Sequence, residues 1–227
     1  MLTGLSGWLL GLVLGARHAL EPDHLTAVST LVVEQRGLRR GAWLGVCWGL
    51  GHTLALLAVT AALALLDARL PPGLADAFEL LVAAMLVLLG VRSLRRALGA
   101  LGQARVDRPA DAPHLHPAGW PHLHLGPRTF ATRSLAVGVV HGLAGSGALT
   151  VLVLAGLPTT SARLGYLLVF GLGSVAGMAV LSGAAGWPLA RLGRSPRVAR
   201  GVMLTAGAWS TGLGLVWGAP LVVRLLG

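Results

Sequence analysis

Within seven residues, His18-Ala-Leu-Glu-Pro-Asp23-His24, the chain carries two imidazoles and two carboxylates in the middle of a long apolar run. Ionisable side chains at membrane depth are expensive and usually mark a substrate or ion pathway. Two histidines with a carboxylate also form a transition-metal ligand set, because imidazole suits zinc, copper, iron and nickel. The motif points to a membrane protein that handles a divalent cation. Two structural explanations compete with it. Arg17 and Glu21 stand four residues apart and can pair along a helix, and a histidine can act as a helix–helix hydrogen bonder. Neither accounts for Asp23.

Two further histidines fall at similar depth. His52 lies near the centre of the second apolar run and His141 near the middle of the fourth. With His18, three separate spans each contribute an imidazole, so the expected metal-binding set is His18, Asp23, His24, His52 and His141. On an unbroken helix of 3.6 residues per turn, His18 and His24 would point about 120° apart. Sharing one ion therefore requires a distortion, or partners from other helices. Pro22 supplies a distortion, since its ring lacks an N–H and clashes with the carbonyl of His18, four residues back. Irregular backbone at this depth is tolerated where it lines a cavity. Gly142, Gly145 and Gly147 after His141 admit either a second unwound segment or close helix packing. Gly171, Gly173 and Gly177 fit packing better. Cys47, five residues from His52 and off its helical face, reads as a small packed residue. As the single cysteine it excludes an internal disulfide and Cys-pair redox chemistry.

The elements that must position these groups are membrane helices. The chain has 227 residues, 55% hydrophobic and 11% charged, with mean hydropathy +0.75. Soluble domains carry about 25% charged residues, so the composition implies an integral membrane protein with a lipid bilayer as its surroundings. The pattern is all-α, a polytopic bundle of six spans at roughly 4–33, 41–66, 76–97, 132–157, 162–190 and 200–225. The first exceeds the roughly 20 residues of a straight span and contains Pro22, which predicts a broken or kinked helix. The N-terminus lacks the basic segment of a cleaved signal peptide, so the first helix is expected to be retained.

The net charge of +10 comes from 18 arginines and no lysine. These arginines crowd the odd-numbered loops: Arg36, Arg39 and Arg40, then Arg92 to Arg133, then Arg191 to Arg200. Positive loops face the cytoplasm. The expected localisation is a bacterial-type inner membrane with both termini outside and odd loops cytoplasmic. This explains the basic balance without a nucleic-acid partner.

The chain also repeats itself. Gly15-Ala-Arg-His18 is echoed by Gly138-Val-Val-His141, and Trp48-Gly-Leu-Gly-His52 by Phe170-Gly-Leu-Gly-Ser174, at offsets of 123 and 122 residues. Halves of three spans each must lie in opposite orientations, because three is odd. Such inverted repeats place substrate sites at the midplane between the halves. The expected organisation is a first three-span repeat over 1–97, a His- and Arg-rich cytoplasmic loop over 98–131 and a second repeat over 132–227. The loop carries His114, His116, His122 and His124, a histidine-rich tract suited to metal capture.

Arg17 to His24 resembles the H-x4-D-H signature of nickel/cobalt transporters, and Leu50-Gly51-His52-Thr53 resembles that family's Leu-Gly-His-Ser/Thr motif. The six-span length and the stretch His141-Gly-Leu-Ala-Gly-Ser-Gly147 look more like the family's urease-accessory relatives. The resemblance implies metal binding at His18, Asp23, His24 and His52. It implies transported Ni2+ or Co2+ with no permanently bound cofactor, and urease or hydrogenase maturation factors as partners. Eight-span members carry carboxylates in a Gly-Phe-Asp-Thr-Ala-Thr-Glu segment, whereas Gly142 to Ala148 here has none.

The expected function is transport of nickel or cobalt through a midplane His/Asp site, by a protein that is not an enzyme. The alternatives are an exporter of the same fold, an intramembrane metalloenzyme and an accessory protein for metalloenzyme maturation. The absence of a P-loop points to a gradient or a partner as the energy source for active transport. Loop charge generates a direct test of topology. A cysteine placed beside His116 in a Cys47-free background should resist impermeant thiol reagents in intact cells, and ready labelling from outside would reverse the orientation.

Overall fold

A computed structural model describes residues 5–33, 37–65, 70–104, 127–144, 157, 159–192 and 195–226. These residues are helical apart from short turns: α1 Leu5–His18, α2 Pro22–Val32, α3 Leu38–Leu65, α4 Pro72–Ala104, α5 Pro127–Ala144, α6 Thr160–Leu192 and α7 Pro196–Leu226. Four helices among the described residues are long and apolar enough to cross a membrane, over Leu38–Leu63, Pro72–Gly99, Thr160–Arg191 and Pro196–Leu226. The outward faces carry Leu88, Leu172, Val180, Trp209 and Val216 at 64–76% exposure. Apolar surface of this extent suits lipid rather than water.

The first apolar run is broken as its sequence predicts. α1 ends at His18, residues 19–21 form a turn, and Pro22 opens α2. The first helical position suits proline, whose missing N–H has no intrahelical partner there in any case. The His18 carbonyl accepts the Glu21 N–H at 3.0 Å, and the Glu21 carbonyl accepts the Leu25 N–H at 3.0 Å. Asp23 falls in the first turn of α2, where the helix dipole favours a negative charge. Eight of the eleven residues of α2 are buried, so this short helix is enclosed on nearly all sides. Helices α4, α6 and α7 surround it, and Val28, Leu31 and Val32 pack with Leu44, Trp48, Leu86 and Met178 in the central core.

Around α2 the long helices pair closely. α3 runs along α6 and α4 along α7, while α5 lies on α3 and α1 on α6. Without a hydrophobic force between helices in lipid, small residues and side-chain hydroxyls hold such contacts. Ser210 donates to the Leu86 carbonyl at 2.7 Å and Ser93 to the Met203 carbonyl at 2.9 Å, both across the α4–α7 contact. Two seams depend on glycine. A Cβ at Gly138 would strike the Trp48 carbonyl, and one at Gly51 the Leu135 carbonyl, which locks α5 onto α3. A Cβ at Gly15 would strike the Phe170 carbonyl, and one at Gly173 the Leu12 carbonyl, which locks α1 onto α6.

The helices also reach into the expected loop. α4 continues to Ala104 and α5 begins at Pro127, so both ends of the 98–131 segment are helical. Leu98, Ala100, Leu101 and Ala104 are strong helix formers, and Pro127 again opens a helix. His114, His116, His122 and His124 lie outside the described residues, as do Gly145 to Gly147, where the sequence admits either an unwound segment or close packing. The α3–α5 seam generates a prediction. Gly138→Val should push α5 off α3 and destabilise the fold by about 1–3 kcal/mol, the range for overpacking. A lowered unfolding temperature in detergent would register it, and an unchanged one would show that the seam tolerates bulk.

Candidate metal centre

The break between α1 and α2 turns His18 and His24 toward each other, with ring centroids 4.7 Å apart. His52, at the middle of α3, lies 5.0 Å from the His18 ring and 5.5 Å from the His24 ring. His141 on α5 sits 4.3 Å from His24. All four imidazoles are buried, His24 and His52 completely. The structure thus brings together all five residues expected from the sequence: His18, Asp23, His24, His52 and His141. The α3–α5 seam sets part of this geometry, since Gly142 rests directly on the backbone of His52.

Asp23 is the electrostatic centre. Its Oδ1 accepts the His24 backbone N–H at 2.9 Å and the His24 Nδ1–H at 3.0 Å. Its Oδ2 accepts the His141 Nε2–H at 2.8 Å. An ionised carboxylate only accepts, so each ring nitrogen facing it carries the proton and the opposite nitrogen of a neutral ring carries the lone pair. Glu21 does the same for His18, with Oε1 2.8 Å from Nδ1. The i,i+4 spacing that suggests an Arg17–Glu21 pair assumes a continuous helix, and the turn at residues 19–21 instead swings Glu21 onto His18.

The free nitrogens face no hydrogen-bond partner. His18 Nε2, His24 Nε2, both nitrogens of His52 and His141 Nδ1 are buried without one among the described residues. Buried polar atoms are nearly always satisfied, so a cluster of unsatisfied ones marks a place where water or a ligand could bind. Two triads have donor atoms within 4.8 Å of one another: His18, His24 and His52, and Asp23, His24 and His141. Nitrogen-rich sets of this kind favour nickel, cobalt, copper or zinc over calcium or magnesium. Cys47 is buried but belongs to neither triad.

Two aromatic residues complete the site, and the motif reading passed over their part in it. Trp48 stacks on His24 at 5.5 Å with 14° between the planes, and Phe170 lies 5.4 Å from His18. Trp48 precedes His52 by four residues and so shares its helical face; that spacing was the available signal. Ser174, the sequence counterpart of His52, donates to the Gly15 carbonyl at 3.2 Å and serves the α1–α6 contact.

Buried histidines gathered among membrane-length helices are the kind of arrangement that a membrane transporter of metal ions requires. Residues 5–189 match the family described as high-affinity nickel-transport protein. The chain belongs to that family, and it is a nickel transporter of the membrane, not an enzyme. It is 32% identical over 208 residues to the urease accessory protein UreH of Bacillus sp. (strain TB-90), covering 91% of this chain and 87% of that relative. No solved structure matches the chain.

The Glu21–His18 contact generates a prediction. Partners that fix the tautomer of a ligating histidine are typically worth about 10- to 100-fold in affinity or activity. Glu21→Ala should lower nickel uptake by about that factor, and Glu21→Gln by less, because its amide oxygen still accepts from Nδ1. Equal uptake by Glu21→Ala and the unmodified chain would remove Glu21 from the site.

Proposed function

We propose that this chain is a permease of a bacterial-type inner membrane that carries Ni2+, or Co2+, through a midplane site built by His18, Asp23, His24, His52 and His141. The observation that supports it most is the convergence of buried imidazoles from α1, α2, α3 and α5, whose nitrogens lack partners among the described residues, in two groups that share His24, one of them including Asp23. Metal would shed water onto these donors, and the two halves would then rock to open the site to the other side.

In this reading six spans form two inverted repeats, over 1–97 and 132–227, joined by a cytoplasmic loop over 98–131, with both termini outside. The glycine seams support the repeat. Gly138 on the Trp48 carbonyl corresponds to Gly15 on the Phe170 carbonyl, and Gly51 on the Leu135 carbonyl to Gly173 on the Leu12 carbonyl, all at offsets of 122 or 123 residues. His114, His116, His122 and His124 would gather metal on the cytoplasmic side. The relative's name, urease accessory protein, supports delivery of nickel toward urease maturation factors.

Radiolabelled nickel flux in proteoliposomes tests the reading, with uptake and efflux compared in cells. His24→Ala should insert normally and lose flux by roughly 100-fold, as for a residue central to a metal site. Normal flux in that variant would sink the assignment. Neutral imidazole is the ligand form, and protons compete with metal for it. Flux should therefore fall as pH is lowered with the proton gradient collapsed, and a rise in acid would contradict an imidazole site.

A further inference from the structure

Five candidate donors lie close together, yet they do not form one cage. They divide into two triads, one of His18, His24 and His52 and one of Asp23, His24 and His141, which share His24 and no other residue. The two nitrogens of His24 are used differently. Nδ1 is committed to Asp23 at 3.0 Å, and Nε2 is buried with no partner. A metal–imidazole bond of about 2 Å brings donors to within about 4 Å of one another. The donors of each triad, within 4.8 Å, need only a small contraction to meet that limit.

We propose, resting on the transport reading, that the protein holds its ion at two adjacent stations that share the His24 ring. One is a neutral station of three imidazoles, His18, His24 and His52. The other is an anionic station formed by Asp23, His24 and His141.

The chemistry of the stations differs in a useful way. The first offers only nitrogen and rejects hard cations that prefer oxygen. The second adds a full negative charge, which attracts a dication out of a neutral site in a low-dielectric interior. A neutral imidazole has one lone pair, so His24 serves one station at a time and the chain binds one ion. When the ion takes Nε2, the ring proton stays on Nδ1 and donates to Asp23. When the ion takes Nδ1, the proton there passes to a water that the ion brings with it and a water returns one to Nε2, so the proton count of the ring is unchanged. His141 makes the equivalent exchange, giving up its Nε2 proton to such a water and taking one up at Nδ1. His141 is also the donor that the second half of the chain supplies, so the step carries the ion from donors of the first half to a station that spans both.

The rival explanation is that Asp23 and His141 only orient His24. His141→Gln separates the two, because its amide still donates to Asp23 but is a poor metal ligand. The full chain in detergent is titrated with Co2+ alone and followed by its visible ligand-field bands, with nickel flux measured in parallel. His52→Ala and His141→Gln should each bind one Co2+ with different spectra, the first from a carboxylate-containing site and the second from an all-nitrogen site. Both should lose flux by about tenfold or more. His18→Ala serves in place of His52→Ala if the latter elutes as aggregate. Identical spectra in the two variants, complete loss of Co2+ binding in a monodisperse His52→Ala or His18→Ala protein, or full flux in His141→Gln would each overturn the two stations. If the variants give distinct spectra but the unmodified chain moves no nickel, the stations stand and the transport reading falls. If nickel moves but the spectra coincide, transport stands and the stations fall.

Discussion

A carboxylate enclosed in a membrane protein is tolerable only when its oxygens are satisfied, and the three hydrogen bonds to Asp23 meet that condition. The demand shapes the surroundings. One donor is local, from the backbone of the next residue, and is free for this because Asp23 and His24 lie in the first turn of a helix. Another requires the His24 ring to fold back beside it. The third comes from a residue 118 positions away and requires α5 to press against α3. The break at His18, the burial of α2 and the glycine seam at Gly138 all serve this single charge.

The seams explain how such long-range contacts are held where lipid surrounds the helices. Backbone meets backbone at Gly15, Gly51, Gly138 and Gly173, with a carbonyl oxygen occupying the place of each absent Cβ. Close backbone approach brings dispersion and weak polar contacts that lipid cannot replace. The two seams are alike in their glycine contacts and unlike in the chemistry beside them. His52 offers two unpartnered nitrogens, whereas Ser174 spends its hydroxyl on the Gly15 carbonyl.

Much of this was legible in the sequence, for physical reasons. Pro22 between two histidines forced a break, and spacing alone put His52 and His141 near the centres of apolar runs. The local consequences of the break were not legible. The i,i+4 rule assigns Glu21 to Arg17 because it presumes a continuous helix, while the turn gives Glu21 to His18. Nor does spacing reveal that Asp23 bonds His141, since that contact depends on how two glycine-bearing helices approach. α4 runs past residue 97 on the helix formers Leu98, Ala100, Leu101 and Ala104, and α5 starts at Pro127, ahead of residue 132, although the Pro, Arg and His content of the 98–131 segment reads as loop.

The stack of Trp48 on His24 has a kinetic meaning. An exposed side chain reorients in picoseconds to nanoseconds, but His24 is fully buried, with indole on one side and His18, His52 and His141 within 4.3 to 5.5 Å. Its ring cannot turn over without sweeping through Trp48. Nδ1 and Nε2 therefore keep permanent addresses inside the protein, and the imidazole behaves as a fixed two-ended fitting rather than a swivelling arm. Turning it over waits on Trp48 and the helix that carries it, so the ring moves only when its surroundings do.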